Sequence, residues 1–243
     1  KMKIQKILFG LGILTTTLIS CDKKDVQLPK ADKTVIKELL DHSPVYLFFE
    51  TNGNDTLIEV NRRNTISSTN WVFNIDKRLP LKLVIPEVMQ LQEKKKSSSH
   101  NREDSMTLYS YADSIGNNLA FLPFTDVKYL FDNEFSKFYI KRNAELYMPY
   151  HNFTINFNKD NQITVDGNEM ERSELPNFIK EFSDFMSEGK TTILHLNFDS
   201  SLTYEQYIQN KILVWGITDE RIQLSSYEFI YDLKKLPACD CKL

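Results

Sequence analysis

Glycine is scarce, at 7 of 243 residues, as are cysteine (3), histidine (4) and tryptophan (2). So few glycines argue against phosphate-cradling loops, and no Walker loop, dinucleotide fingerprint or Gly-x-Ser-x-Gly elbow occurs. The histidines, His42, His100, His151 and His195, have no partner three or four positions away, so no pair has metal-ligand spacing on one helix. The carboxylate pair Glu169 and Glu171 reads as solvated loop. Nothing makes a positive case for catalysis or for a cofactor. A basic surplus is also missing: 30 Lys+Arg stand against 33 Asp+Glu, a net charge of -3. Setting aside Lys1, Lys3 and Lys6 leaves 27 against 33, or -6, which excludes an electrostatic nucleic-acid binder. What is present, 41% apolar and 26% charged residues, is a globular composition. The length suits one large domain or two small ones.

Residues 1–20 are the most specific stretch. Lys3 and Lys6 precede an uncharged run from Ile7 to Ser20, shorter than the ~20 apolar residues a spanning helix needs. The run closes on Leu18-Ile19-Ser20-Cys21, which resembles the lipobox of bacterial lipoproteins. That resemblance implies cleavage before Cys21, acylation of its thiol (palmitate-type chains), and a membrane-anchored envelope protein facing the periplasm. Inner and outer membrane both stay open, despite Asp22. Residues 21–32, with Lys23, Lys24, Asp25, Pro29, Lys30 and Asp32, read as a polar tether. At the other end, 233–243 reads as a tail. Its Cys239 and Cys241 are a soft-metal chelate, a tight disulfide or simply part of a frayed terminus, and the absence of further Cys or His nearby favours the last.

From Phe153 onward the pattern is regular. Phe153, Ile155 and Phe157 alternate with polar residues as a half-buried strand, and Lys159-Asp160-Asn161 turns the chain into Gln162–Val165. Ser173 and Pro176 open a helix carrying Leu175, Phe178, Ile179, Phe182, Phe185 and Met186. In the next strand Ile193, His195 and Asn197 share one face, and Leu194, Leu196 and Phe198 the other. Thr203 with Gln206 makes a capping box for a helix bearing Tyr204, Tyr207, Ile208, Ile212 and Trp215; a strand from Arg221 follows. The order is β-β-α-β-α-β. Asp160-Asn161, Val165-Asp166-Gly167, Glu174-Leu175-Pro176, Thr191-Thr192-Ile193, Asp199 with Tyr204, and Gly216-Ile217 together make 153–232 resemble the periplasmic domain of the ExbD/TolR (biopolymer transport) family. The resemblance covers about a third of the chain. It implies a module that dimerises or touches TonB/Tol-type envelope proteins or peptidoglycan, with Asp199 and Tyr204 as candidate interaction positions. The family's transmembrane helix with its proton-carrying Asp is not matched, since Ile7–Ser20 has no acidic residue.

Residues 33–128 read as another α/β lobe. A short helix is expected over Thr34–Leu40, a hairpin around Asn52-Gly53-Asn54, a strand at Val72–Ile75, and a helix over Leu81–Leu91 kinked or restarted at Pro86. Lys94-Lys95-Lys96 and the serines after it read as a solvated loop, and Leu119–Val127 as a closing strand. Matching Arg62-Arg63-Asn64 with Lys159-Asp160-Asn161 makes this lobe either a divergent repeat of the later one or an unrelated lobe. Residues 129–152 (Tyr129, Phe131, Phe135, Phe138, Tyr139, Tyr147, Tyr150) read as an aromatic connector. They are core packing or, in an alternative reading, the lining of an inter-lobe cleft that binds a small molecule. The fold class expected is α+β: two α/β lobes, each a small mixed sheet with helices on one face. The function expected is a lipid-anchored, non-catalytic envelope module.

Overall fold

The computed structural model describes residues 24–237, so Cys21, Cys239, Cys241 and the segment before Cys21 lie outside the described residues. The chain runs β1 (Lys30–Ala31), β2 (His42–Asn52), β3 (Asp55–Asn61), β4 (Asn70–Ile75), α1 (Leu81–Lys96), β5 (Thr107–Asp113) and β6 (Asn118–Pro123). It continues through β7 (Lys128–Asp132), α2 (Ser136–Arg142), α3 (Ala144–Tyr147), β8 (His151–Phe157), β9 (Ile163–Val165), β10 (Asn168–Met170), α4 (Leu175–Met186), β11 (Thr192–Asp199), α5 (Tyr204–Trp215) and β12 (Ile222–Tyr231). Two mixed sheets result. The first is ordered β3-β2-β4-β5, with β6 and β1 also on β5; the second is β10-β9-β8-β11-β12-β7. The fold is α+β, and one continuous apolar core draws side chains from both sheets.

Local chemistry explains most elements. Gly53, at φ +60, turns β2 into β3. Thr203 and Gln206 form the reciprocal capping box that opens α5. In β11, Phe198 meets Tyr207 of α5 edge-on at 4.9 Å on one face, while Asn197 bonds Ser136 of α2 on the other. Pro86 neither kinks nor restarts its helix: α1 runs through it. Pro86 and Lys82 are exposed, so the missing hydrogen bond falls on the solvent side of the helix.

Several expectations need correcting. Residues 34–40 form no helix; Ile36 instead bridges Phe121 through both of its backbone groups, and with Leu39 covers Val72 and Leu108. The expected tether is docked from Gln27 onward, where Gln27 accepts from Lys77 N and donates to Asp76, and β1 then lies parallel to β5. The closing strand stops at Pro123, and residues 128–147 are no free connector. They give the second sheet its edge strand β7 and cover the face opposite α5 with α2 and α3, so this lobe carries helices on both faces rather than on the one expected. Their rings pack inward, Phe135 on Tyr231 at 5.2 Å and Tyr139 on Phe229 at 5.6 Å. Lys95 does not lie in a solvated loop. It lies in the last turn of α1, is 3% exposed, and donates to Ser67 O, Thr69 O and Ser105 Oγ at 3.1, 2.7 and 2.8 Å. Burial pulls its ammonium down to about 8.

The first lobe repeats the connectivity of the second. The order β3-β2-β4-β5 matches β9-β8-β11-β12, with α1 and α5 each preceding the last strand. The match differs from the one Arg62-Arg63-Asn64 implied: those residues begin the crossover 62–69, where the second lobe has β10 and α4. The correct register sets β4 on β11. Asn74 and Asn197 then coincide, each donating from Nδ2 to the carbonyl of the residue paired with its predecessor, Val45 and Ile155 respectively. Asp76 coincides with Asp199, and Leu79 with Leu202.

Candidate functional site

The two lobes meet where these matched segments face each other. Asp76 accepts from Arg78 N at 3.1 Å and Asp199 from Ser201 N at 2.8 Å, closing the same turn at the end of β4 and of β11. Leu79 and Leu202 follow, both buried, and then Pro80 and Thr203. These last two pair as an antiparallel bridge, with near-identical backbone angles (φ -73, ψ 147 and φ -71, ψ 154). Leu81 N donates to Leu202 O and Tyr204 N to Leu79 O; Lys82 N donates to Ser200 O and Glu205 N to Lys77 O, at 2.8–3.1 Å. Each bond has a counterpart in which every residue is replaced by its match in the other lobe (77 with 200, 79 with 202, 81 with 204). A local two-fold axis therefore passes between Pro80 and Thr203.

Beside this seam lies a buried polar network. Lys211 of α5 and Glu228 of β12 form an ion pair with side chains 3% and 4% exposed. Tyr207 Oη donates to Glu228 at 2.7 Å and accepts from Lys211 at 3.3 Å. Tyr129 of β7 contacts Tyr207 at 3.3 Å and Tyr109 of β5 at 2.7 Å, which carries the network into the first lobe. Burial pushes the phenols of Tyr109, Tyr129 and Tyr207 well above their ordinary value, with Glu228 adding to the rise. They stay protonated and keep supplying the hydrogen bonds that the ion pair needs away from water. A cavity of about 510 Å³ opens over Lys211 and Glu228, walled by Trp215 and by Ser225 and Ser226. There β12 bulges, with three residues between Leu224 and Glu228 opposite the single His195 of β11.

Of the candidate interaction positions, Asp199 is 8% exposed and occupied by Ser201, while Tyr204 is 0% exposed. Tyr204 lies edge-on to Tyr109 at 5.7 Å and its hydroxyl is buried with no partner among the described residues. Both therefore sit in the seam rather than on an open surface. Lys211 and Glu228 were missed, although each left a trace: Lys211 falls on the apolar stripe of α5 (204, 207, 208, 211, 212, 215), and Glu228 interrupts an apolar strand.

His195 is a sheet-face residue, fully buried under Tyr147. Asn152 Nδ2 donates to Tyr147 O and Tyr150 O, leaving its Oδ1 to accept from His195 Nε2 at 2.9 Å. Nε2 thus holds the ring proton, Nδ1 has no partner among the described residues, and burial depresses the ring to about 4. An unfolded histidine titrates near 6.5, so between pH 6.5 and 4 only the unfolded state gains the proton. Stability falls across that window, by about 3 kcal/mol in full, and the loss levels off below pH 4. His195→Gln is expected to lose less stability than the parent between pH 7 and 4.5 in urea titrations. Equal losses would acquit His195.

Among the described residues, no group of three His, Cys, Asp or Glu is placed to hold a metal, and no helix is long and apolar enough to cross a membrane. Comparisons with protein-family models, with curated proteins and with solved structures returned no match.

Proposed function

We propose that the chain is a lipid-anchored, non-catalytic binding protein of the bacterial cell envelope, built on an ExbD/TolR-like unit and serving a TonB/Tol-type complex or peptidoglycan. The observation that carries this reading is the connectivity of 151–231: a hairpin followed by two helical crossovers, in the order β9-β8-β11-β12. Apart from the short strand β10 inserted before α4, this is the β-β-α-β-α-β order read from the residues that carry the resemblance. The second support is the use made of the polar groups at the seam, which are spent on holding two lobes together. An anchor at Cys21 would also set the orientation. Lys24 pairs with Glu50 and Glu59 near the β2–β3 turn, and three residues reach at most about 11 Å. The first lobe would then lie against the bilayer and present the second outward.

The test has two parts. Metabolic palmitate labelling is expected for the parent chain and lost in Cys21→Ala. A crosslinked pull-down from native membranes is expected to recover ExbB/TolQ-, TonB- or TolA-like proteins or peptidoglycan fragments. An unlabelled parent chain overturns the anchor, and a pull-down that returns none of these overturns the binding role.

A further inference from the structure

A second cavity, of about 770 Å³, lies between the lobes away from the Lys211 network. One wall is β1 with Ser114 of the first lobe; the other is the start of α4 with Gln209 and Leu213 of α5. Its volume falls within the range of small-molecule sites.

Arg172 is the group in it that the fold does not account for. The side chain is half-buried, and its Nη2 donates to Asn210 Oδ1; Asn210 is fully buried and passes its own Nδ2 to Asn161 Oδ1 at 2.8 Å. The guanidinium is held by a neutral amide, and no carboxylate lies within ion-pair distance among the described residues. Burial lowers its pKa, with no opposing charge to raise it. A desolvated, oriented and unneutralised fork is suited to a carboxylate, which accepts two parallel hydrogen bonds from it. The remaining lining suits a peptide: Ser173 offers a hydroxyl, Gln209, whose Nε2 donates to Lys30 O at 3.1 Å, offers its Oε1, and Ala31, Pro176 and Leu213 offer apolar contact. Lys30 is a second cation in the lining, and Asp32 and Glu171 are there for an amino group.

We propose that this cleft binds a short peptide, of two to four residues, whose terminal carboxylate docks on Arg172. This site is independent of the envelope role proposed above, and neither result bears on the other.

The probes are trialanine, its carboxy-terminal amide and inorganic phosphate, each titrated calorimetrically into the full chain. Trialanine is expected to bind, and the amide at least about tenfold more weakly, because it lacks the charge. Arg172→Gln is expected to erase that preference. Leu213→Trp, which fills the cleft and leaves Arg172 in place, is expected to abolish binding. If either variant fails to fold, the contrast between trialanine and its amide on the parent chain still decides. The proposal is overturned if trialanine does not bind, if the amide binds as well, if Arg172→Gln keeps the preference, or if phosphate displaces trialanine at equal concentration, which would mark a general anion site.

Discussion

Lys211→Met is expected to destabilise the protein by about 3–5 kcal/mol, read from urea midpoints at pH 7. The substitution keeps the length and apolar stem of the side chain, so packing changes little. It leaves Glu228 charged and 3% exposed, with only Tyr207 to bond it. An uncompensated charge in that setting is among the largest single penalties a fold meets. The decisive comparison is Lys211→Met with Glu228→Leu. Removing both charges is expected to restore most of the loss, since the cost came from the orphaned partner rather than from a missing attraction. A single variant that loses less than about 1 kcal/mol would mean that water reaches Glu228 through the cavity above it. A double variant as weak as the single would place the cost in packing.

Tyr204→Ala is expected to cost about 3–5 kcal/mol, as for other fully buried aromatic rings cut back to a methyl group. The ring touches Tyr109 and Tyr207 and lies in the seam between the lobes. Tyr204→Phe is expected to behave oppositely, neutral or mildly stabilising, because its hydroxyl is buried with no partner and its desolvation is uncompensated. A loss above about 1 kcal/mol for Tyr204→Phe would show that the hydroxyl has a bonding partner. The pair also separates two roles for this residue. A surface contact for a partner protein would be insensitive to Tyr204→Ala in thermal unfolding of the free chain.

Where local patterning and burial agree, the elements were legible from residues alone. The period-2 run around Phe153, the stripe beginning at Tyr204 and the Thr203–Gln206 box all name their own structure. The misses have a common cause, which is that side-chain pattern says nothing of what pairs with the backbone. Thr34–Leu40 has helical spacing, yet two hydrogen bonds to Phe121 and an apolar patch to cover outweigh it. The aromatics of 129–150 signal burial without saying against which sheet. Lys95 looks like one of three solvated lysines, and only the carbonyls of 67 and 69 arriving from the crossover distinguish it. The repeat was misaligned for a related reason. Its first crossover is a helix in one lobe and a loop in the other, so matching turn to turn selects the wrong turn. Asn74, Asp76 and Leu79 mark the true register through backbone geometry, which no hydropathy pattern displays.

The seam is written in main-chain hydrogen bonds, and that has a consequence for assembly. Such bonds ask little of side-chain identity, so the two halves are free to diverge while the docking survives. They are also joined by the four residues 124–127, a connection that spans at most about 14 Å. Each half meets its counterpart at an effective concentration that separate chains do not approach. Dilution of the chain therefore leaves the pairing intact.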